Sequence, residues 1–305
     1  MEENHYDVII VGTGPAGSTA ALYGQRLGLR TVVFGDLPGG ITYMIENLVN
    51  FPGFVGGISG TEFGVKLFQQ AQLEGAMFTM MRLDRLEKND ETFIATDVNG
   101  LTYTAPCAIL ASGRIPRTMP GTRPGMKGVN FCSVCDGPLF RDKNATLAVV
   151  GSNNAAAQHA VTLSRIAGKV LLICRSQTLK MDVAHKNVIA QQDNIETLVG
   201  IEVTGYEGLD MVETLCVKAG NGKPEKIPVD GVFMSIGWTP GTQMLKIEAD
   251  TNAEGYLLTD EDLRSSVPGL FVAGDVREKS LYQVLTACSD GAIAAKSVSE
   301  YLTRL

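Results

Sequence analysis

Short runs of apolar residues recur along the chain and alternate with longer stretches of helical pattern. Runs of strand length occur at 6–11, 31–34, 107–111, 146–150 and 170–174. Because they contain almost no polar residues, these runs are typical of strands buried on both faces of a parallel sheet. Helical stretches follow the first and the fourth run. The alternation predicts an α/β fold.

The strand–helix–strand pattern occurs twice, at 6–34 and at 146–174, and therefore predicts two Rossmann-like domains. After the strand at 107–111, a turn at Ser112-Gly113 indicates that the chain crosses out of the first domain. A second candidate crossover follows a later buried strand, at Gly237-Trp238-Thr239-Pro240. The pattern thus predicts an internal repeat of one nucleotide-binding architecture.

The first strand–helix junction carries the sequence Gly12-Thr13-Gly14-Pro15-Ala16-Gly17. Gly12 permits a tight turn, Gly14 lets a pyrophosphate approach the backbone, and Gly17 lets helix and strand pack closely. The helix N-terminus adds amide donors and positive potential for phosphates. The junction predicts a dinucleotide site, and Asp36, just beyond the next strand, is a candidate ligand of the ribose.

The second junction, Gly151-Ser152-Asn153-Asn154-Ala155-Ala156, departs from the dinucleotide pattern. Asn153 stands at the second glycine position, where a side chain obstructs a pyrophosphate. Arg175 follows the next strand with only Ser176 beside it, and Lys180 lies further on. One arginine can still meet a 2′-phosphate, so the pattern weakens a dinucleotide site without excluding it.

Cys132 and Cys135 are separated by two residues, and Asp136, Gly137 and Pro138 follow at once. The spacing fits a redox-active disulfide or one half of a metal site. Zinc needs two further ligands, usually from a second close pair, and the other four cysteines and three histidines are scattered. Because an acid and turn residues suit an exposed reactive site better than buried free thiols, we predict a redox dithiol and no metal.

Composition argues against several other classes of protein. A formal net charge of −7 without a basic run disfavours nucleic-acid binding. No apolar span is long enough to predict a membrane helix, and the acidic first residues do not resemble a signal peptide. Six cysteines without regular spacing suit a reducing cytoplasm.

Together these motifs resemble those of the low-molecular-weight thioredoxin reductases, over essentially the whole chain. Besides the first glycine turn and the dithiol segment, the resemblance rests on Gly39-Gly40, Glu46-Asn47, Asn50-Phe51-Pro52-Gly53-Phe54, Ile236-Gly237-Trp238-Thr239-Pro240 and Gly274-Asp275-Val276. It implies a homodimeric flavoprotein disulfide reductase. It also implies one FAD domain at 1–115 and 245–305, interrupted by a dithiol-bearing domain at 116–244.

The resemblance assigns roles to individual residues. It implies that FAD is bound by Gly12, Gly14, Pro15, Ala16, Gly17, Asp36, Gly40, Asn50, Gly113, Gly274, Asp275 and Gln283. Within this set it places Asp275 on the flavin side of FAD and Gln283 near the isoalloxazine. It implies that Cys135 receives electrons from the flavin and that Cys132 attacks the disulfide of thioredoxin or a similar protein. Asp136 is the best acid–base candidate, because no carboxy-terminal His-Glu pair exists.

In this family the second glycine motif and a paired-Arg sequence bind NADPH, and both are altered here. The chain therefore looks like the NADPH-independent branch, in which reduced ferredoxin is the donor. Because a ferredoxin is acidic, its docking needs a local basic patch, for which the candidates are Arg114, Arg117, Arg123 and Lys127. Four alternatives stay open: an ordinary NADPH-dependent reductase, a diflavin-linked disulfide oxidoreductase, a dithiol oxidase that passes electrons to oxygen, and a flavin-binding redox sensor.

Overall fold

The computed structural model describes residues 4–45, 47–122, 126–220 and 222–304. The chain forms two compact units, and the first is discontinuous in sequence. It extends to Ile115, without Asn47–Asn50, and resumes at Thr239, whereas the second consists of Asn47–Asn50 and Pro116–Trp238. The return to the first unit therefore lies at Thr239, before the position 245 expected from the sequence.

Strands and helices are numbered in chain order over the described residues. The strands are β1 (Val8–Val11), β2 (Thr31–Phe34), β3 (Met77–Phe78), β4 (Leu83–Asn89), β5 (Thr92–Asp97), β6 (Thr102–Ala105), β7 (Cys107–Leu110), β8 (Arg114–Pro116), β9 (Val129–Asn130), β10 (Thr146–Val150), β11 (Lys169–Cys174), β12 (Ile195–Val199), β13 (Ile201–Glu207), β14 (Thr214–Ala219), β15 (Pro224–Pro228), β16 (Gly231–Met234), β17 (Trp238–Pro240) and β18 (Leu270–Val272). The α-helices are α1 (Pro15–Arg26), α2 (Gly60–Leu73), α3 (Ser133–Asp136), α4 (Asn154–Ser164), α5 (Val183–Ala190) and α6 (Val284–Leu302). Short 3₁₀ turns lie at Gly40–Met44, Gly137–Phe140 and Gly274–Val276.

The first unit is built on a five-stranded parallel sheet in the order β18-β7-β1-β2-β3. Successive strand residues point to opposite faces, so Ile10 packs among helical residues such as Ala20. Ile9 packs on the other face, together with Phe93 of the antiparallel sheet β4-β5-β6. The sheet is therefore covered on both faces, which explains why its strands are almost purely apolar.

Helices α1 and α6 approach closely because small residues line their contact. A Cβ on Gly291 of α6 would overlap the backbone carbonyl oxygen of Ala16 in α1. Ala20 and Ala294 are fully buried in the same cluster. This packing places the chain segment that precedes α6 beside the first turn of α1.

The second unit repeats the plan of the first, with a parallel sheet that is covered by helices on one face and by an antiparallel sheet on the other. Its parallel sheet has the order β12-β11-β10-β16-β9, and the antiparallel sheet β13-β14-β15 is separate from it. Val149 packs among residues of α4 and α5, whereas Ala148 packs with Leu215 of β14. The predicted α/β class with two Rossmann-like parallel sheets is confirmed.

No helix among the described residues has an apolar stretch long enough to cross a bilayer. The longest, α6, has 19 residues and carries acidic and basic side chains along its length. Within the same part of the chain, no group of His, Cys, Asp and Glu side chains is arranged to hold a metal ion.

Candidate active site

The first glycine turn joins β1 to α1 and leaves the start of the helix without a side-chain cap. Gly12 has φ +120°, and a Cβ there would overlap the carbonyl oxygen of Ala111, so only glycine fits. A Cβ on Gly17 would overlap the Gly12 carbonyl, so this position also needs glycine. Gly14 is the N-cap of α1 and Pro15 is its first residue. The first amides of α1 therefore stay available to an anion.

The glycine pair Gly39-Gly40 lies against this turn. The Gly39 N–H donates to the Thr13 carbonyl at 2.8 Å. A Cβ on Gly40 would lie 3.1 Å from Gly14 Cα, and a Cβ on Gly14 would lie 3.8 Å from the Gly39 carbonyl oxygen. The glycine turn at 12–17 and the pair Gly39-Gly40 thus form one open backbone surface, called the cradle below. A side chain on Gly14 or Gly40 would fill it.

Ser112, Gly113 and Gly274 extend the cradle. The Ser112 amide lies beside Gly12, and the Ser112 hydroxyl is buried without a hydrogen-bond partner among the described residues. Gly113 has φ +69° and no other atom within 4 Å of a Cβ there. A Cβ on Gly274 would come within 2.8 Å of the Ala16 Cβ. An open backbone surface beside an unsatisfied buried hydroxyl fits a large polar ligand such as FAD.

Asp275 and Gln283 are both held by hydrogen bonds or ion pairs in the first unit. Asp275 faces the Lys279 ammonium at 3.0 Å and the Arg114 guanidinium at 3.3 Å. Gln283 is the N-cap of α6, and its side chain accepts the Thr286 N–H while the Thr286 hydroxyl accepts the Gln283 N–H at 3.2 Å. Protein partners therefore fix the orientation of both side chains, which suits residues that contact a ligand.

Two other predicted FAD residues have different surroundings. Asp36 lies just beyond β2 and forms an exposed ion pair with Arg82 at 3.1 Å. Asn50 belongs to the short segment Asn47–Asn50 that groups with the second unit. Their roles toward FAD stay predictions.

The expected basic docking patch loses one of its members. The Arg114 side chain is only 17% exposed and pairs with Asp275, because the turn after β18 brings that acid next to β8. Arg123 of the patch and Glu46 of the Glu46-Asn47 motif lie outside the described residues. Arg117 and Lys127 remain candidates in the second unit.

The two cysteines form a disulfide at the start of α3, with their Cα atoms 5.3 Å apart. Cys132 is the N-cap of this short helix, and its Sγ accepts the Cys135 N–H at 3.2 Å. Cys132 is partly exposed, whereas Cys135 and Asp136 are buried, at 6% and 5%. Gly137 fits closely against α4, where a Cβ would lie 3.1 Å from Leu163. A disulfide between a partly exposed residue and a buried one suits the relay of electrons to an external disulfide.

The second glycine turn is closed by its own side chains. Asn153 is the N-cap of α4, and its Oδ1 accepts the Ala156 N–H at 3.0 Å. Asn154 bonds to Asp182 twice, accepting its N–H at 2.9 Å and donating to its carboxylate at 3.2 Å. The hydrogen bond from the His185 backbone lowers the pKa of the Asp182 carboxyl, which is therefore ionised. The start of α4 is therefore capped by a side chain and lies beside the carboxylate of Asp182, whereas the start of α1 has neither feature.

The strand after this turn offers little to a 2′-phosphate. The Arg175 side chain is 83% exposed and faces Glu202 at 3.9 Å. The neighbouring Ser176 hydroxyl donates to the Thr178 carbonyl at 2.7 Å. A single, partly neutralised guanidinium lacks the paired geometry with which phosphates are usually bound.

One cluster of charged residues carries no motif in the sequence and could not be predicted from it. Asp290, Arg277 and Lys279 form buried ion pairs beside Gly274-Asp275. The sequence signal is weak, since it consists of Asp290 within the run of small and apolar residues at 287–295. Burying that acid requires partners that only the fold can bring to it.

Comparisons with known proteins show which family this chain resembles. Residues 6–291 match the family described as pyridine nucleotide-disulphide oxidoreductase. Thioredoxin reductase of Treponema pallidum (strain Nichols) is 37% identical over 308 residues, which cover 99% of each chain. The structure of thioredoxin reductase from Streptococcus pyogenes MGAS5005 is 31% identical, with a TM-score of 0.91 over 100% of both chains. That from Giardia duodenalis is 26% identical, with a TM-score of 0.88 over 99% of this chain and 100% of the other.

These similarities extend over the whole chain and include both units. The predicted enzyme class, an oxidoreductase, and the predicted cofactor, FAD, are confirmed. The chain therefore belongs to the low-molecular-weight thioredoxin reductases, which are FAD-binding disulfide reductases of the pyridine nucleotide-disulphide oxidoreductase family.

Proposed function

We propose that this protein reduces the disulfide of thioredoxin or a similar protein, and that reduced ferredoxin rather than NADPH supplies the electrons. The observation that carries the choice of donor is the cap of α4. Asn153 Oδ1 holds the Ala156 N–H at 3.0 Å, whereas a dinucleotide needs free amides at this point. The ionised Asp182, bonded to Asn154 at the same turn, also repels a pyrophosphate.

The 2′-phosphate of NADPH would find a weak partner as well. Arg175 stands without a second arginine and already faces Glu202. Loss of one charge-assisted hydrogen bond costs about 1.5–3 kcal/mol, which corresponds to roughly ten- to a hundredfold in affinity. Obstruction at Asn153 adds to this loss, so NADPH binding is expected to be poor.

The residues of the first unit hold FAD in this proposal. The backbone from Gly12 to Gly17 and the adjoining Gly40 receive the pyrophosphate, and the Ser112 hydroxyl gains a partner. Asp275 and Gln283 contact the flavin side. Bound FAD, once reduced, supplies an electron pair for the Cys132–Cys135 disulfide.

The dithiol then passes the electron pair to the partner protein. In this proposal the electron pair would enter the disulfide at Cys135, the more buried residue, and Cys132, the more exposed residue, would attack the partner's disulfide. A mixed disulfide forms and one partner thiol leaves; Cys135 then attacks Cys132 and releases the second thiol. The two released thiolates take up the two protons that the Cys132 and Cys135 thiols lose, and Asp136, the nearest acid in sequence, is the candidate for transferring them. The resemblance also leads us to propose a homodimer in the cytoplasm, where thiols are kept reduced.

The donor is tested by anaerobic stopped-flow spectroscopy of the flavin band. We expect NADPH and NADH to reduce the flavin slowly or not at all, and reduced ferredoxin to reduce it and support thioredoxin turnover. Rapid bleaching at micromolar NADPH would contradict the proposal and favour the ordinary reductase. If neither donor works but oxygen quickly reoxidises the dithiol-reduced enzyme, the dithiol-oxidase alternative replaces it.

The cysteine roles are tested by serine substitutions in the ferredoxin-coupled assay. Cys132→Ser and Cys135→Ser should each abolish disulfide reduction and retain FAD, whereas Cys216→Ser, far along the chain on β14, should leave turnover unchanged. Cys132→Ser should give a long-wavelength charge-transfer band, and Cys135→Ser should not. Asp136→Asn should slow exchange by roughly 10²-fold. Opposite spectra in the two cysteine variants would reverse their roles, and a dithiol that cycles without reducing thioredoxin would indicate a sensor.

A further inference from the structure

Asp290 is a buried carboxylate in the middle of α6, at 5% exposure. It accepts the Gly274 N–H at 3.0 Å and both the Nε and Nη2 of Arg277, at 2.9 and 3.0 Å. The Lys279 ammonium donates to it at 3.3 Å. All three partners lie on the segment between β18 and α6, so a single helical acid fixes the turn that contains Asp275.

Lys279 connects this acid to Asp275. Its side chain is 6% exposed and faces Asp275 at 3.0 Å as well as Asp290. The other oxygen of Asp275 faces Arg114, whose guanidinium lies over the Tyr282 ring at 4.3 Å. The carboxylate of Asp275 is therefore oriented from two sides, and its orientation depends on a chain of ion pairs that begins at Asp290.

The cluster is not electrically neutral. Three cations, Arg114, Arg277 and Lys279, face the two carboxylates, which leaves one net positive charge. A fixed positive charge in a partly buried cluster stabilises nearby negative charge more strongly than it does in water. A flavin that gains electrons beside such a cluster would be easier to reduce.

We propose that Asp290 and Lys279 are positioning residues for FAD, which hold Asp275 and the Gly274 backbone and thereby set both the affinity and the reduction potential of the flavin. This inference rests on the proposed contact between Asp275 and FAD. It does not depend on the identity of the donor or of the disulfide substrate. Its tests therefore use the FAD-loaded protein with a chemical reductant, without ferredoxin or thioredoxin.

FAD affinity is the first measurement, from the flavin fluorescence released when the holoenzyme is diluted. Asp290→Asn and Lys279→Met should each weaken FAD binding by about ten- to a hundredfold, since each removes charge-assisted contacts. Lys279→Arg should restore most of the affinity. Glu300→Gln, which breaks the exposed pair with Lys296 on the same helix, is the control and should change nothing.

The midpoint potential of the bound flavin separates positioning from folding. Lys279→Met removes a positive charge and should lower the potential, whereas Asp290→Asn removes a negative charge and should raise it. In an Asp275→Asn background, Lys279→Met should weaken binding little further, because it acts through that carboxylate. If Asp290→Asn fails to fold, the two Lys279 variants carry the test. Unchanged affinity and potential together with a lower melting temperature would overturn the proposal.

Discussion

Helices α1 and α4 begin at equivalent places, each after a glycine turn that ends the central strand of a five-stranded parallel sheet. The N-cap of α1 is Gly14, which offers no side chain, whereas the N-cap of α4 is Asn153, which bonds the Ala156 amide. The same backbone element can therefore present its first amides to a ligand or satisfy them internally. One residue at the N-cap decides between the two.

The surroundings of the two turns strengthen this difference. Gly39-Gly40 lies against the first turn and adds only backbone. Asn154 and Asp182 lie at the second turn and add an amide and a carboxylate. A pyrophosphate would meet hydrogen-bond donors at the first turn and negative charge at the second. If the N-cap residues of the two turns are exchanged, we therefore expect dinucleotide affinity to fall at the first turn and to rise at the second.

The largest effect on cofactor binding should come from replacing Gly14 of the first turn by asparagine, the residue found at the equivalent position 153 of the second turn. Gly14→Asn should cap α1 and fill the cradle, and FAD affinity should fall by about a hundredfold or more, since both the amides and the space are lost. Flavin content after gel filtration measures this. The control is Gly28→Asn, at φ +80° with no atom within 4 Å of a Cβ, where asparagine tolerates the left-handed backbone. Full flavin content in Gly14→Asn would mean that the cradle is not the pyrophosphate site.

The reverse exchange should open the second turn. Asn153→Gly combined with Ser176→Arg frees the Ala156 amide and supplies a second arginine, so NADPH should reduce the flavin with an affinity about tenfold or more above wild type. Stability should fall by only about a few tenths of a kcal/mol, because glycine is a tolerated N-cap. Asn153→Ser with Ser176→Arg keeps a capping side chain and should gain less. A double variant with normal FAD and no response to NADPH would show that the cap is not the obstacle.

The third effect is on folding stability rather than on ligand binding, and it concerns α4 itself. His159 of α4 occupies the position of the fully buried Ala20 in α1, and its Nδ1 lies 2.8 Å from the Ser235 hydroxyl. Burial lowers the pKa of His159 to about 4, whereas the pKa of an unfolded histidine is about 6.5. The unfolded chain therefore binds the proton first, and stability should be lost as pH falls from about 6.5 toward 4, by on the order of 3 kcal/mol.

Urea unfolding followed by the fluorescence of Trp238, the single tryptophan of the chain, measures this loss in the second unit. His159→Gln should flatten the acid side of the stability curve. His5→Gln, at an exposed position in the first unit, should leave it unchanged. An equally steep acid side in His159→Gln would assign the loss to other groups.

Much of the site could be predicted because its chemistry is encoded over short spacings. The glycine turn, the degenerate second turn and the Cys-x-x-Cys pair each lie within six consecutive residues, and neighbours so close in sequence are also close in space. The short helix α3 could not be predicted, because four residues show no helical period. Gly137, which follows this helix, packs closely against Leu163 of α4, a long-range contact that the local sequence does not reveal.

The sequence by itself determined the α/β class, the repeat of the strand–helix–strand unit, the dithiol and the contrast between Gly14 and Asn153. Only the tertiary structure decided that Gly40, Ser112 and Gly274 would meet at one turn, because parallel strands bring their carboxyl ends to a common edge whatever their separation in sequence. It also decided that the largely covered side chain of Arg114 pairs with Asp275, and that Asp290 of α6 finds its partners on the segment between β18 and that helix. Ion pairs depend on the distance between charged side chains in the folded chain, and the order of residues in the sequence does not give that distance.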